Sequence, residues 1–295
     1  MRISPYFLLT LTSLFWAGNF VVARAAHAEI EPIALAFWRW VIALTILLPF
    51  GGAIAWRERK LYHQNLWRIT VLALTGIAAF NTLIYIGLQQ TTATNALLLN
   101  SFIPVLTLIL TWISLGVPYS LRQLFGVSLS ICGVATIISR GDLTLFASLT
   151  LNRGDLLVMV AVVAWAIYTI LLKGVPATIH RGGLMTTITF IGVVVLSPLY
   201  LSGDYAPALT RNNLLTLGYV GIFPSVLALL FYNRGVAEVG PERASMFIHL
   251  MPVFGTLLAI TFLNEQIALF HLAGIGLIFG GLWLSLRRTS QPNPS

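Results

Sequence analysis

The sequence predicts an all-α polytopic membrane protein in which ten transmembrane helices form two inverted five-helix repeats. Three observations predict it: a composition too apolar for water, ten apolar windows of bilayer length, and residues that recur at a constant offset near 148. Of the 295 residues, 58 % are hydrophobic and 9 % charged, with a mean hydropathy of +0.89. Soluble domains carry roughly 25 % charged residues, so a water-soluble enzyme is excluded. A disordered chain, which needs low hydrophobicity and high charge, is excluded too.

A bilayer core about 30 Å thick takes roughly 20 apolar residues per helix. The first window, 5–26, carries Trp16, Asn19 and Arg24. It ends in Ala26-His27-Ala28, which imitates a signal-peptide cleavage site. Its length, its polar residues and its copy later in the chain argue for a retained span. Window 32–54 holds Arg39, 67–89 holds Tyr85, and 93–115 holds Asn95, Asn100 and then Pro104. Window 121–139 carries Gly126, Ser130, Gly133 and the single cysteine, Cys132, expected as a small buried packing residue. The second half runs through 154–174 with Trp165 and Tyr168, 183–202, and 213–235 with Tyr232. It closes with 242–263, holding His249 and Pro252, and 268–286, holding Gly274, Gly276, Gly280 and Gly281. Residues 289–295 form a polar tail. The spans leave no room for a soluble domain.

The repeat is read from matching residues. Trp16 is echoed by Trp165, Tyr85 by Tyr232, and Ala96 with Pro104-Val105 by Ala244 with Pro252-Val253. Gly126 and Gly133 are echoed by Gly274 and Gly281, again 148 residues on. Residues 1–143 and 144–288 are therefore expected to be two copies of one unit. Five helices per copy make the second enter the bilayer from the opposite side.

Basic residues set the orientation. With both termini cytoplasmic, twelve fall in inner segments and four in outer ones, with Arg39 inside a span. The +8 charge and pI of about 10.1 thus mark topology rather than a nucleic-acid surface. One cysteine forms neither an internal disulfide nor a zinc set, and no cofactor or metal motif is present.

Inverted repeats supply two nearly equivalent packings, open to opposite sides, with the solute at the pseudo-twofold midplane; they are a mark of secondary transporters. No HExxH, Gly-x-Ser-x-Gly, intramembrane aspartate pair or phosphate-binding loop points to a membrane-embedded enzyme. No arginine-repeat helix or ring of charge points to a channel.

Several of these residues together resemble the drug/metabolite transporter superfamily, EamA type, across nearly the whole chain. They are Trp16-Ala17-Gly18-Asn19-Phe20, Arg39, Thr92-Ala93-Thr94-Asn95-Ala96 with Pro104, Trp165, Gly240 to Ala244, Pro252-Val253 and Glu265. Within it, the aromatic-rich helices look most similar to bacterial aromatic amino-acid exporters. The resemblance implies an inner-membrane exporter of small amphipathic metabolites, aromatic and other neutral amino acids first. The alternative is a multidrug or purine-type efflux carrier. Glu265 departs from strict symmetry, since Val117 takes its place in the first half.

The candidate site follows. Trp16 with Asn19, and Trp165 with Tyr168, are three residues apart and share helix faces, each offering a ring beside a hydrogen-bonding group. Lipid-facing polar groups lack partners, so Asn100 and His249 are expected to face protein or solute. The lone His249 also suits a plain helix–helix contact. Tyr85 and Tyr232 are expected as matched gates that touch solute, with interface anchoring as the competing reading. Arg39, about 12 Å from its helix end by the 1.5 Å rise, is expected in a structural or gating role, although a substrate carboxylate would also suit it. Pro104 and Pro252 are expected to kink two long helices and act as hinges. The glycines of helices 5 and 10 are a packing signal, within the bundle or across a homodimer. No carboxylate lies at mid-depth in any span, which predicts movement down the solute's own gradient.

Overall fold

The computed structural model describes residues 3–26, 29–91, 93–116, 118–142, 144, 152–263 and 267–286, and every element in it is helical. Helix α1 is Pro5–Ala26. Helix α2 runs as Pro32–Leu47, a π-helical Leu48–Gly52 and Ala53–Arg57. After a short helix at Arg59–Gln64, α3 runs as Leu66–Leu72, a π-helical Ala73–Ala79 and Phe80–Gly87. Helix α4 comprises Ala93–Asn100 and Ile103–Leu115, and α5 is Leu121–Ile138. In the second half α6 is Arg153–Lys173 and α7 is Arg181–Leu201. Helix α8 runs as Arg211–Ile222, a π-helical Phe223–Leu227 and Ala228–Val239. Helix α9 comprises Pro241–Met246, a 3-10 turn Phe247–His249 and Leu250–Leu263, and α10 is Leu269–Leu286.

Among the described residues nine helices are long and apolar enough to cross a membrane. The remaining window of the sequence, 242–263, is the three-piece α9. Large apolar side chains such as Phe50, Trp112, Phe125, Phe190, Phe279 and Trp283 point outward. In water that would be an aggregating surface; in a bilayer it is the lipid-facing one. Cys132 also faces outward, which corrects its assignment to the interior. Glu265 and the tail lie outside the described residues.

Capping explains several boundaries. Ser120 and Gln123 form a reciprocal capping box at the start of α5, and Asn152 and Asp155 another at the start of α6. Gly116 ends α4 in the left-handed conformation that favours glycine. Gly240, at φ 94° and ψ 157°, turns α8 into α9 through backbone space that only glycine readily enters.

The two prolines act differently from the expected kinks. A helical proline cannot donate to the carbonyl four residues back, and its ring pushes that carbonyl away. Here the helix gives way before the proline: α4 is interrupted at Ser101-Phe102 and α9 at Phe247–His249. Pro104 then sits in the first turn of the second half-helix, where no intrahelical donor is needed. Each break frees backbone carbonyls inside an apolar bundle. Side chains from elsewhere take them: Ser13 Oγ donates to Phe247 O at 2.6 Å, and His249 Nε2 bonds Ser101 O at 2.9 Å.

The halves pack as a symmetric pair. Helix α1 lies against α8 and α9, as α6 lies against α3 and α4, and α2 packs on both α7 and α8 while α7 also packs on α3. The largest interface joins α5 to α10. There a Cβ built on Gly133 would stand 2.6 Å from the Gly274 carbonyl oxygen, and one on Gly126 2.7 Å from that of Gly281. Residue 126 meets the counterpart of 133, and 133 the counterpart of 126, so the helices run antiparallel about a twofold. The small residues of this stripe are thus used inside one chain. Gly276 alone among them meets open space.

Candidate functional site

Three contacts join residues to their own repeat counterparts. Ser130 Oγ donates to Ile278 O at 3.3 Å, 148 residues away, and His249 and Ser101 are separated by the same 148. Trp16 and Trp165 meet edge-on with ring centroids 5.2 Å apart. A residue and its image touch only when both lie beside the symmetry axis. The axis therefore passes through the tryptophan pair, the helix breaks and the α5–α10 crossing.

Beside the tryptophan pair lies the principal cavity. Its polar wall is Asn19, Arg39, Asn81 and Asn100, and its aromatic wall is Trp16, Phe20, Trp40, Phe80 and Trp165. Pro224, Leu229, Ile248 and Met251 complete the lining with Ile103. The room for a water molecule's centre is about 30 Å³, enough for one or two waters. An amino acid needs the walls to part. The tryptophan rings are held from behind: Trp16 Nε1 donates to Pro224 O at 3.2 Å, a carbonyl of the π-helical turn in α8. Tyr232 stacks obliquely on both tryptophans at 5.2 and 5.4 Å, and Tyr168 and Phe80 lie on Trp165 at 5.0 and 4.6 Å.

On the side of the α1 C-terminus the cavity is closed by Arg39, 2 % exposed. Its Nε donates to Ser225 Oγ at 2.9 Å; its Nη1 donates to Asn81 Oδ1 at 2.9 Å and to Tyr85 OH at 2.5 Å. Asn19 Oδ1 accepts from Nη1 at 3.4 Å and from Tyr85 OH at 3.3 Å. The guanidinium also lies 5.2 Å from the Trp40 ring and 5.9 Å from that of Tyr85, within cation–π range. Four helices, α1, α2, α3 and α8, thus meet on one cation. All its side-chain partners are neutral: among the described residues the only ion pair is Arg234–Glu238, at the surface.

The opposite side of the tryptophan pair carries a second polar cluster. Tyr168 OH donates to Asn233 Oδ1 at 2.7 Å, Asn233 Nδ2 contacts Met185 Sδ at 3.7 Å, and Thr169 Oγ1 and Tyr232 OH are 3.0 Å apart. Tyr168 is the counterpart of Asn19, and Asn233 lies 148 residues beyond Tyr85. Arg39 falls opposite Thr187-Ile188, so no arginine stands at the matching place; the charge that acts on this cluster is that of Arg181, at the start of α7, on Tyr168.

The residues singled out from the sequence divide accordingly. Trp16, Asn19, Arg39, Asn100 and Trp165 line the cavity together. Tyr85 stands behind Arg39, and Tyr168 and Tyr232 behind the tryptophans, so these three brace the wall rather than line it. The two tyrosines expected as gates lie buried inside the bundle, which sets aside interface anchoring. His249 is turned away from the principal cavity onto Ser101 and borders a smaller hollow with Asn100 and Pro252. Pro104 lies outside both linings. Sequence reading missed Trp40, Asn81 and Ser225. Asn81 carried a usable signal, since an amide within an apolar span needs a partner; Ser225 did not, because a serine in a helix commonly bonds its own backbone.

Comparison with known proteins agrees with this architecture. The model of the EamA-like transporter family matches residues 3–139 and again 152–287. An uncharacterized transporter of Archaeoglobus fulgidus is 29 % identical over 99 % of this chain and 100 % of its own length. The uncharacterized transporter YyaM of Bacillus subtilis is 27 % identical, over 95 % of this chain and 93 % of its own. A probable terminal-alkyne amino-acid exporter of Streptantibioticus cattleyicolor is 24 % identical over 95 % of this chain and 93 % of its own. A solved crystal structure superimposes with a TM-score of 0.79 at 15 % identity, covering 97 % of both chains, which shows the shared fold.

Proposed function

Because the chain belongs to the EamA-like transporter family, we propose that it exports small amphipathic metabolites, neutral and aromatic amino acids first, by alternating access. The observation that carries the reading is the cavity on the pseudo-twofold axis, walled by Trp16 and Trp165 and bounded by polar clusters on both sides. Two related clusters give two related ways to close. Parting the Arg39 cluster opens one face; parting the Tyr168–Asn233 and Thr169–Tyr232 contacts opens the other. The helix breaks in α4 and α9, beside the cavity, allow half-helices to swing without unwinding more backbone. Aromatic walls suit a flat apolar side chain, and the amides suit a zwitterion. The relative described as a probable amino-acid exporter supports the same substrate class.

The membrane is the bacterial inner membrane and both termini are cytoplasmic, on the bias of basic residues. Labelling of cysteines introduced one at a time between Trp56 and Arg68 and in the tail is expected from the same face; labelling from opposite faces would overturn the inverted arrangement. Transport runs down the solute gradient, since no carboxylate lies at mid-depth in the spans. Uptake and counterflow of labelled amino acids by the purified protein in liposomes test the reading. Counterflow without an imposed ion gradient is expected for phenylalanine and tryptophan. No counterflow across an amino-acid panel would sink the assignment, and flux strictly driven by a proton gradient would sink the uncoupled mechanism.

A further inference from the structure

We infer that Arg39 is the carboxylate receptor of the cavity, so that the transported species is an α-amino acid recognised at both charged ends; this rests on the transporter reading above. Three observations carry it. Arg39 brings a positive charge into the bundle with only neutral partners, and among the described residues no hydrogen bond is made by its Nη2. A buried cation held by neutral dipoles alone is favoured further by an anion, and a carboxylate matches the guanidinium fork with charge-assisted bonds. Second, the indole Nε1 of Trp40, whose ring lies 5.2 Å from the Arg39 guanidinium, is buried with no acceptor among the described residues. It is a second donor for the same anion. Third, Asn100 Oδ1, also on the cavity wall, is buried with no donor among the described residues. Buried polar atoms are ordinarily paired, and an ammonium would pair this one.

Among the described residues the unmatched groups of the cavity lining are thus three donors, Arg39 Nη2 and the indole Nε1 atoms of Trp40 and Trp165, and one acceptor, Asn100 Oδ1, a set that a zwitterion complements. The rings of Trp16, Phe20, Phe80 and Trp165 take the side chain. The same charge repels cations, which separates this site from one built for cationic drugs. The counterpart position in the other repeat is uncharged and Arg181 is not in the cavity lining, so Arg39 holds the carboxylate on the α1 C-terminal side.

The test is competition against labelled phenylalanine in counterflow by the wild-type protein in liposomes, with unlabelled analogues that each lack one group. Phenylalanine itself is expected to compete fully. Phenylethylamine, without the carboxylate, and 3-phenylpropionate, without the ammonium, are each expected to compete at least about tenfold more weakly. Equal competition by phenylethylamine overturns the inference and leaves the carrier reading standing. Equal competition by 3-phenylpropionate overturns the part assigned to Asn100. No phenylalanine counterflow at all overturns both readings. The Arg39→Gln variant is expected to lose the preference for phenylalanine over phenylethylamine, and Arg39→Lys to keep part of it. Should Arg39→Gln fail to fold, the wild-type competition series still decides.

Discussion

His249 bonds the backbone carbonyl of Ser101, its own counterpart in the other repeat, at 2.9 Å. One side chain, itself standing in the break of α9, therefore takes a carbonyl freed at the break in α4. Both groups are buried. His249→Ala leaves a buried carbonyl unpaired, and thermal unfolding in detergent is expected to show a loss of about 1–3 kcal/mol. A variant as stable as wild type would mean that the freed carbonyl finds another donor.

The α5–α10 interface separates packing glycines from idle ones. Gly133→Ala drives a methyl against the Gly274 carbonyl, where backbone cannot yield without moving the helix. A cost of about 1–3 kcal/mol is expected, as for other overpacked cores. Gly276 meets nothing within 4 Å, so Gly276→Ala is expected to leave stability unchanged or raise it by up to about 1 kcal/mol through helix propensity. Unfolding in a graded detergent series reads both. Equal effects at the two sites would remove the intramolecular account of the stripe.

Trp165 touches Trp16, Phe80, Tyr168 and Tyr232, so it is the keystone of the partition between the two polar clusters. Trp165→Ala removes one of the two indoles of that group and is expected to cost about 3–5 kcal/mol. Trp165→Phe keeps a ring and should fold. In liposomes its phenylalanine counterflow is expected to fall while alanine counterflow changes less, because the lost surface meets only the substrate's aromatic part. A uniform loss for both substrates would assign Trp165 to the scaffold alone.

Much of this was legible in the chain. Spans and repeat were visible because lipid imposes one length on each helix and a duplicated unit keeps its spacing. Trp16 and Trp165 could be paired as counterparts, and their meeting on the axis follows from that symmetry. The π-helical turns in α2, α3 and α8 were not legible, since an extra residue in one turn leaves hydropathy unchanged. Nor were the partners of Arg39, which come from α1, α3 and α8 and are set by tertiary packing. The prolines pointed to the right helices, but the backbone released its strain at Ser101 and at Phe247–His249, before each proline rather than at it.

Asp155 gives a last expectation, because it does two jobs with one carboxylate. Its Oδ2 accepts from the Asn152 backbone N–H at 2.9 Å within the α6 capping box, while Oδ1 accepts from Thr91 Oγ1 in the connection after α3. Nearby, a Cβ on Gly154 would stand 2.6 Å from the Gly87 carbonyl oxygen, so the end of α3 and the start of α6 are in backbone contact. The carboxylate is 2 % exposed, and a hydrogen bond to a charged group in such a place is worth about 1.5–3 kcal/mol. Asp155→Ala loses both functions, Thr91→Ala loses one, and Asp155→Asn keeps acceptors but not the charge. The expected order of stability is wild type, then Asp155→Asn, then Asp155→Ala. Thr91→Ala is expected to cost little once Asp155 is already alanine, since the bond is gone from one side. A double-mutant cycle on thermal unfolding measures that coupling, and strict additivity of the two losses would show that the carboxylate serves the helix cap and not the junction.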